Sequence, residues 1–367
     1  MATQRPPLAR GDRVVNFFLP DPRDVLIGLY DKVTGGPIVL LLVPALDEAR
    51  GAREAARLVA QAPKLAEAGA HVFLIAGDPV PRIQALAKEH DPSCFVVSDA
   101  DGRFAALSGV AGALVAFVLD ANQRVLTRLD PTDGPLDAER LADRAFAYVE
   151  GLSEREPQTL AMHPPVLIVE NVLEPEFCRY LIEQYEARGN EESGTFRMVD
   201  GRMVRQAHHD VKRRRDHIVA DDDLMAEIGG RLERRVLPEI RRAFQANVTR
   251  FEEFKIVCYD AEPGGYFHIH RDNTTPQTRH RRFAMTLNLN SDEYEGGYLR
   301  FPEFGDVRYK PPTGAAVVFS CNLLHEALDV TSGRRFVLLS FFYDEAGQKQ
   351  LEAYEAQVRA GKIKVGA

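Results

Sequence analysis

Three side chains that could bind a metal ion are the strongest chemical feature of this sequence. His270 and Asp272 form a His-x-Asp triplet, and His270 ends a run that predicts a β-strand. Side chains two residues apart on an extended chain point the same way, so an imidazole nitrogen and a carboxylate oxygen can converge on one ion. His325, which follows a predicted strand at 315–319, could supply a third ligand. The alternative for His270 and Asp272 is a strand-end pair held by hydrogen bonds in a turn.

This ligand set indicates which metal would bind. Two histidines and one carboxylate on one side of an ion leave three coordination positions open, as in the facial triad of non-haem iron(II) enzymes. His268 lies two residues before His270 on the same predicted face, and it is interpreted as a residue of the substrate entrance or a plain strand histidine. A second triplet, His208-His209-Asp210, lacks a matching distal histidine and is interpreted as a loop.

An arginine follows the distal histidine by ten residues. Arg335 begins the apolar strand 335–342 and shares one face with the apolar residues at alternate positions after it. A buried, unpaired charge is very costly, so an anionic partner is expected, and a planar guanidinium fits a carboxylate through two hydrogen bonds. The alternative is a strand-edge arginine that faces solvent, which is the interpretation for the adjacent Arg334.

Length and composition limit the class of protein. The chain has 367 residues, more than one hydrophobic core usually organises, so two domains are expected. The net charge of −8 gives no overall attraction to nucleic acid, and the short basic clusters 212–215 and 279–282 are interpreted as solvated faces or ion pairs. The four cysteines contain no Cys-x-x-Cys pair, which indicates neither a disulfide framework nor a thiolate zinc site.

No segment has the pattern of an export signal or a membrane span. The polar start, 1–12, lacks the apolar core of a signal peptide, and no apolar run approaches the ~18 residues of a membrane span. We therefore expect a cytoplasmic protein without a membrane partner.

The first half of the chain alternates apolar strands with helices, which predicts a layered α/β domain. The predicted elements are strand 38–43, helix 52–67, strand 71–75, helix 81–90, strand 94–97, a hairpin of 115–119 with 124–126, and helix 136–152. A polar, proline-containing segment then predicts a linker at 153–165.

The second half begins with a predicted strand at 166–169 and two helices. It continues as a series of short strands, which predicts helices packed on a β-sandwich or barrel. The predicted strands are 254–259, 265–270, 283–289, 297–301, 315–319 and 335–342. The domains expected are therefore 1–152 and 166–345, followed by a C-terminal helix or tail at 346–367.

The motifs around the metal residues resemble one enzyme family. Residues 259–272 read Tyr-Asp-Ala-Glu-Pro-Gly-Gly-Tyr-Phe-His-Ile-His-Arg-Asp, which resembles the prolyl 4-hydroxylase-like branch of the 2-oxoglutarate/Fe(II)-dependent dioxygenases. Downstream, 296–302 resembles the family's Gly-Gly strand, and 312–319 resembles its Pro-x-Gly strand. The spacing from His325 to Arg335 matches the distal histidine and the basic residue that binds 2-oxoglutarate.

The resemblance implies a double-stranded β-helix, or jelly roll, with Fe(II) bound by His270, Asp272 and His325. It implies that the far carboxylate of 2-oxoglutarate meets Arg335 and that Tyr259 lies close to this co-substrate; the alternative for Tyr259 is a core tyrosine. The expected reaction hydroxylates an unactivated C–H bond of a prolyl, amino-acid, peptidyl or small-molecule substrate, with release of succinate and CO₂ and with ascorbate as an accessory reductant.

The N-terminal half resembles the peroxiredoxins of the thioredoxin fold, through Gly11-Asp12 before 17–21 and through the strand 39–44. The position of the family's peroxidatic cysteine is Gly51, and the threonine position is Glu48. Without a thiolate there is no nucleophile for peroxide. The resemblance therefore implies a non-catalytic domain that serves structure, homodimerisation or substrate presentation.

Two alternatives to an active hydroxylase remain at this point. The first is a catalytically idle binding or scaffold protein, against which the complete ligand set and Arg335 argue. The second is a nucleic-acid-directed oxygenase, which the acidic chain disfavours and which the basic cluster 212–215 keeps open.

Overall fold

The polypeptide divides into two compact units, Met1–Pro157 and Gln158–Ala367, in a computed structural model. The structure describes residues 6–90, 94–131, 140–152, 159, 161–199, 202–206 and 209–361. Several predicted features lie partly or wholly outside the described residues. They are the linker residues 153–158 and 160, the start of the predicted helix 136–152, His208 and the last six residues of the predicted tail.

A mixed β-sheet that is covered on both faces forms the core of the N-terminal unit. Its elements, in chain order, are β1 (Phe18–Pro20), β2 (Leu26–Gly28), α1 (Leu29–Lys32), β3 (Ile38–Val43), α2 (Ala49–Glu67), β4 (His71–Ala76), α3 (Val80–His90), β5 (Phe95–Ser98), α4 (Arg103–Leu107), β6 (Val115–Leu119), β7 (Val125–Leu129) and α5 (Leu141–Glu150). The sheet order is β5-β4-β3-β6-β7, with β3, β4 and β5 parallel and β6 and β7 antiparallel. This arrangement confirms the predicted thioredoxin-like fold.

The continuous apolar sequence of β3 follows from its central place in this sheet. Val39 and Leu41 pack with Leu58 of α2 on one face, while Leu40 and Phe117 belong to the core on the other face. A strand buried on both sides has no solvent-facing positions, so it reads as an unbroken apolar run rather than an alternating one.

Gly51, at the position of the peroxidatic cysteine, is buried in the first turn of α2. A Cβ atom there would lie 2.5 Å from the backbone oxygen of Ala45 and 2.7 Å from a methyl carbon of Val43. The surrounding backbone therefore packs around a glycine, and a cysteine side chain would need a local rearrangement.

Two facing β-sheets with helices on one side form the C-terminal unit. Its elements are β8 (Val166–Val169), α6 (Pro175–Arg188), β9 (Glu191–Glu192), β10 (Thr195–Val199), β11 (Arg202–Gln206), β12 (Lys212–Arg213), β13 (Arg215–Ile218), α7 (Asp222–Arg235), α8 (Leu237–Phe244), β14 (Arg250–Phe251), β15 (Lys255–Asp260), β16 (Tyr266–His270), β17 (Phe283–Asn288), β18 (Tyr294–Gly296), β19 (Leu299–Arg300), β20 (Arg308–Tyr309), β21 (Ala316–Ser320), β22 (His325–Ala327), β23 (Val330–Tyr343) and α9 (Glu345–Arg359).

The larger sheet has the order β8-β21-β17-β23-β15-β13-β9, and the smaller sheet has the order β12-β16-β22-β19-β20. The two antiparallel sheets confirm the predicted jelly roll. All the predicted strands are present, but the strands β9 to β14, β18, β20 and β22 were not predicted. Most of these strands have only two or three residues, too few to show the apolar alternation by which a half-buried strand is recognised.

Packing against the helices determines which side chains of the larger sheet face the helices and which face the smaller sheet. Leu181 and Tyr185 of α6 pack with Ile256 of β15 and with Phe336 and Leu338 of β23 in one core. Because side chains alternate along a strand, the residues between these positions face the smaller sheet. Burial of each large apolar side chain stabilises this packing by ~1.5–3 kcal/mol, so the orientation of both strands is strongly determined.

Candidate metal centre and co-substrate pocket

The three predicted metal ligands lie together between the two sheets. His270 and His325 are paired residues on the neighbouring strands β16 and β22, and their ring centroids are 4.2 Å apart. Asp272 follows β16, and its carboxylate oxygens lie 3.5 Å from His270 Nε2 and 3.3 Å from His325 Nε2. One ligand atom from each residue lies within 4.8 Å of the others. This set, the metal triad, has the donors and the spacing that a divalent ion needs.

A β-bulge in β16 aims His270 at this site. Phe267 pairs with Ala327 and His270 with His325, so three steps along β16 match two steps along β22. The extra residue brings Phe267 and His270 to the same side, and their rings stack with centroids 3.5 Å apart. The expectation that His268 shares the face of His270 is wrong for this reason, since His268 is exposed and its Nδ1 lies 2.8 Å from the backbone oxygen of Asp210.

Backbone carbonyls fix the tautomer of both histidines. His270 Nδ1 lies 2.7 Å from the oxygen of His268, and His325 Nδ1 lies 2.9 Å from the oxygen of Leu323. A carbonyl oxygen can only accept, so each Nδ1 carries the hydrogen and each Nε2 keeps its lone pair for a metal. The same bonds hold the rings in orientation before any ion binds.

Burial and mutual charge set the protonation states of the metal triad. Burial lowers the pKa of His325, although the nearby Asp272 carboxylate opposes this shift. Burial alone would raise the pKa of Asp272, but the two histidines outweigh it and the pKa of the carboxyl is lowered. A neutral imidazole and an ionised carboxylate are the forms that coordinate metals.

Arg335 and Tyr259 face the same cavity from the larger sheet. They are paired residues on β23 and β15, each 3% exposed, and the guanidinium carbon of Arg335 lies 5.0 Å from the centre of the Tyr259 ring. Arg335 Nε has no hydrogen-bond partner among the described residues. Arg334 lies on the other side of the strand, where it is 41% exposed and pairs with Glu186.

The unsatisfied Nε of Arg335 tests whether these residues fit the expected co-substrate. An arginine that is buried without an anion is costly, and the bidentate acceptor that would satisfy it is a carboxylate. A dicarboxylate that reached from the metal triad to Arg335 would meet this need. The donor set therefore fits both Fe(II) and 2-oxoglutarate.

The sequence reasoning missed two basic residues of the cavity wall. Lys212 is 8% exposed and the Arg214 side chain is also 8% exposed, so the interpretation of cluster 212–215 as a solvated face is wrong for these two residues, while its ion-pair alternative holds for Arg214. Arg214 pairs with Asp216 and donates to the Tyr259 hydroxyl, 3.1 Å from its Nη1. The only signal in the sequence was the alternation of basic residues at 212 and 214, which a strand would point the same way.

The second basic cluster, 279–282, contributes an ion pair to the cavity, as one of its interpretations expected. Arg281 binds Glu252 through Nε and Nη2 at 2.6 and 2.7 Å, and its guanidinium stacks 3.7 Å from the ring of Phe341. Arg281 Nη1 also donates to the backbone oxygen of Asp272 at 3.3 Å. This contact connects the backbone of Asp272 to Arg281, which also stacks on Phe341 of β23.

One cavity of about 710 Å³ is bordered by the metal triad and by Arg335, Tyr259, Lys212, Arg214, Glu252 and Arg281. Its volume lies in the range of ~300–1,000 Å³ that is usual for small-molecule sites. Asn288 does not border this cavity, and its side chain donates to the backbone oxygen of Pro311 at 2.8 Å. Among the described residues, no helix has the length and apolar character that crossing a membrane requires.

Part of the C-terminal half is similar to known proteins. Residues 254–343 match the family model of the 2OG-Fe(II) oxygenase superfamily. A PKHD-type hydroxylase of Synechococcus is 33% identical over 92 residues, which are 23% of this chain and 40% of that protein. A prolyl hydroxylase of Trichoplax adhaerens, solved with a peptide fragment, is 16% identical over 50% of this chain and 86% of its own, with a TM-score of 0.41.

The N-terminal half has relatives of a different kind. A peroxiredoxin-type protein of Mycobacterium tuberculosis is 29% identical over 151 residues, which cover 39% of this chain and 96% of that protein. The chain thus combines an N-terminal half that is similar to a peroxiredoxin-type protein with a C-terminal half in which residues 254–343 match the 2OG-Fe(II) oxygenase superfamily.

Proposed function

We propose that the C-terminal domain hydroxylates an unactivated C–H bond and converts 2-oxoglutarate and O₂ into succinate and CO₂. His270, Asp272 and His325 are the proposed iron ligands, and Arg335 and Tyr259 are the proposed 2-oxoglutarate contacts. The observation that carries the proposal is the orphaned Arg335 Nε, which borders the same cavity as the metal triad.

Each residue has a distinct task in this mechanism. Iron bound at the metal triad would supply the activation of dioxygen that is coupled to decarboxylation of the 2-oxo acid. Arg335 would bind the far carboxylate and orient the co-substrate, because its charge and fork geometry match that group. The Tyr259 hydroxyl accepts a hydrogen bond from Arg214, so its own hydrogen is free to be donated into the cavity.

Apolar side chains complete the site. Phe319, Leu339 and Phe341 border the cavity and belong to the core between the sheets. They would exclude water from the reacting C–H bond, which protects a reactive oxidant from side reactions. The cavity therefore combines a polar co-substrate end with an apolar region near the metal triad.

The finer assignments belong to the same proposal. The domain limits are 1–152 and 166–345, with the linker 153–165 between them and the helix or tail 346–367 after them. The substrate is a small molecule or a peptidyl residue, ascorbate serves as the accessory reductant, the compartment is the cytoplasm, and the N-terminal domain serves structure, homodimerisation or substrate presentation. Lys212 and Arg214 border the cavity rather than an open basic surface, which disfavours nucleic acid as the substrate.

Two measurements test this function. Anaerobic addition of Fe(II) and then 2-oxoglutarate should produce the visible absorption band of the metal-bound 2-oxo acid in the wild-type protein. Under air, the same sample should release succinate, slowly even without a substrate. An iron-loaded protein that neither forms the band nor decarboxylates 2-oxoglutarate would contradict the proposal.

A further inference from the structure

A lysine on the inner face of the larger sheet has no role in the chemistry described above. Lys255 is the first residue of β15, four positions before Tyr259, and both border the cavity. Its side chain is 26% exposed, and burial lowers its pKa despite the field of Asp216. A cation in this position loses hydration, so it needs an anionic partner.

The described part of the chain offers Lys255 only a weak partner. Its Nζ lies 3.9 Å from a carboxylate oxygen of Glu253, and no hydrogen bond joins the two residues. Asp216, the other acid nearby, already accepts from Ser193 Oγ at 2.7 Å and from Arg214 Nη2 at 3.1 Å. Lys255 therefore enters the cavity with its hydrogen-bonding capacity unused.

Glu253 carries the opposite charge on the same side of the cavity. It borders the same cavity, its side chain is 64% exposed, and its one ion pair among the described residues is the 3.9 Å contact with Lys255. Because no hydrogen bond joins Lys255 and Glu253, each side chain can form an ion pair with an oppositely charged group of a bound ligand. A ligand with adjacent negative and positive groups would satisfy both.

The sheet register places this pair beside the metal triad rather than at the co-substrate end. Lys255 pairs with Leu339, and Leu339 pairs with Thr286, so these cavity-lining residues form one row across the sheet. The next row contains Phe341 on the neighbouring strand β23, and the Arg281 guanidinium that stacks on its ring donates to the backbone oxygen of Asp272 at 3.3 Å. Adjacent same-face rows are ~7 Å apart, which is within reach of a small molecule.

Arg335 lies in the opposite direction along the same strands. It pairs with Tyr259, four residues from the Lys255 row, which corresponds to ~13 Å of extended chain. A 2-oxoglutarate that spans from the metal triad to Arg335 would leave the Lys255 side of the cavity open. Arg335 can then bind a carboxylate of 2-oxoglutarate, and Lys255 can bind a carboxylate of a second molecule.

We propose that Lys255 and Glu253 bind the carboxylate and the ammonium group of a free α-amino acid, whose side-chain carbon would lie near the metal triad. This inference rests on the proposed oxygenase function and names its substrate class. A residue inside a peptide has neither charge, so it could form an ion pair with neither side chain. A phosphate dianion would meet three carboxylates in the same region, those of Asp216, Glu252 and Glu253.

The test measures binding to the anaerobic complex with Fe(II) and 2-oxoglutarate. The probes are the twenty free L-amino acids, their carboxamides and their N-acetyl derivatives, and the readouts are calorimetry and the visible absorption band. At least one free amino acid should bind, and loss of either charge should weaken it by ~10-fold or more, as expected for a charge-assisted hydrogen bond.

Two variants and a control assign the charges to residues. Lys255→Met should bind the acid and its carboxamide equally, and Glu253→Gln should bind the acid and its N-acetyl derivative equally. Lys349→Met, at an exposed position on α9, should keep the full preference for the free amino acid.

Three results would overturn the inference: no free amino acid binds, a carboxamide binds as tightly as its acid, or Lys255→Met weakens both forms by the same factor. Failure of the oxygenase proposal is recognised separately. In that case 2-oxoglutarate produces no absorption band, whereas calorimetry still reports amino-acid binding.

Discussion

Arg214 Nη1 donates a hydrogen bond to the Tyr259 hydroxyl over 3.1 Å, and this contact links an unexpected basic residue to the co-substrate pocket. Arg214 is held by Asp216, and its guanidinium carbon lies 5.3 Å from the centre of the Phe267 ring. Phe267 in turn stacks on His270, so the same arginine borders both parts of the site.

We predict that Arg214→Gln raises KM for 2-oxoglutarate by ~10-fold with a smaller change in kcat, because Tyr259 loses the donor that orients its hydroxyl. Steady-state succinate release at varied 2-oxoglutarate measures both constants. Arg213→Gln, on the adjacent position, is the matched control and should leave KM unchanged. In a Tyr259→Phe background the Arg214→Gln change should have little further effect, and full additivity would refute the coupling.

Arg335→Met should weaken 2-oxoglutarate binding by ~100-fold or more, since it removes the charge-assisted pair with the far carboxylate. Titration of the visible absorption band measures this affinity without turnover. Arg335→Lys should recover part of it, because the charge remains but the planar fork is lost. Arg334→Met is the control, and an equal loss of affinity in that variant would show a general effect on β23.

Asp272→Ala should lower the affinity for Fe(II) by at least ~10-fold, because it removes the charged member of the metal triad. Iron per chain after dialysis against a fixed free-iron concentration is the measurement. His268→Ala should retain wild-type iron, since the bulge turns His268 away from the site. Iron loss in His268→Ala but not in Asp272→Ala would exclude the proposed ligand set.

Glu174 provides a prediction about acid stability outside the site. Burial alone would raise its pKa, but hydrogen bonds from Arg235 and Arg231 outweigh this and lower the pKa to about 2. A depressed folded-state pKa gives stability that is present above the ordinary value near 4.5 and is lost as the pH falls toward 2. Because the Glu174 side chain is 36% exposed, the contribution is discounted for solvent screening.

Glu174→Gln should therefore cost ~1–2 kcal/mol at neutral pH, where the 2%-exposed Arg235 side chain loses a charged partner. The variant should also lose less stability than the wild type between pH 5 and 3, provided that the acid transition is reversible; urea unfolding across these pH values measures both effects. Glu176→Gln, at an exposed position in the first turn of α6, should match the wild type. Identical pH profiles for Glu174→Gln and the wild type would contradict the assignment.

Gly51→Cys tests the N-terminal domain. The new side chain would meet the Ala45 carbonyl at 2.5 Å, so we expect a loss of ~1–3 kcal/mol in the free energy of unfolding and no gain of peroxidase activity. Denaturant unfolding and a peroxide-consumption assay provide the two readouts. Ala52→Cys, at the exposed neighbouring position, should be close to neutral.

Local sequence, together with the motifs that resemble known families, was sufficient to predict both folds and the group of residues at the metal triad. The apolar runs of β3 and β23 predicted buried strands, because a strand covered on both faces has few polar positions. The types and spacing of His270, Asp272, His325 and Arg335 indicated a metal site with an anion-binding arginine, because few other arrangements satisfy such groups.

Only the tertiary structure decided which charged residues belong to the cavity. Lys212 and Lys255 are the first residues of β12 and β15, and Arg214 lies between β12 and β13, so no apolar alternation distinguished them from solvent-facing residues. The bulge that separates His268 from His270 was equally hidden, because it depends on pairing with β22, a strand far away in sequence. Sequence thus determined which groups could do chemistry, while long-range strand pairing determined which of them face one another.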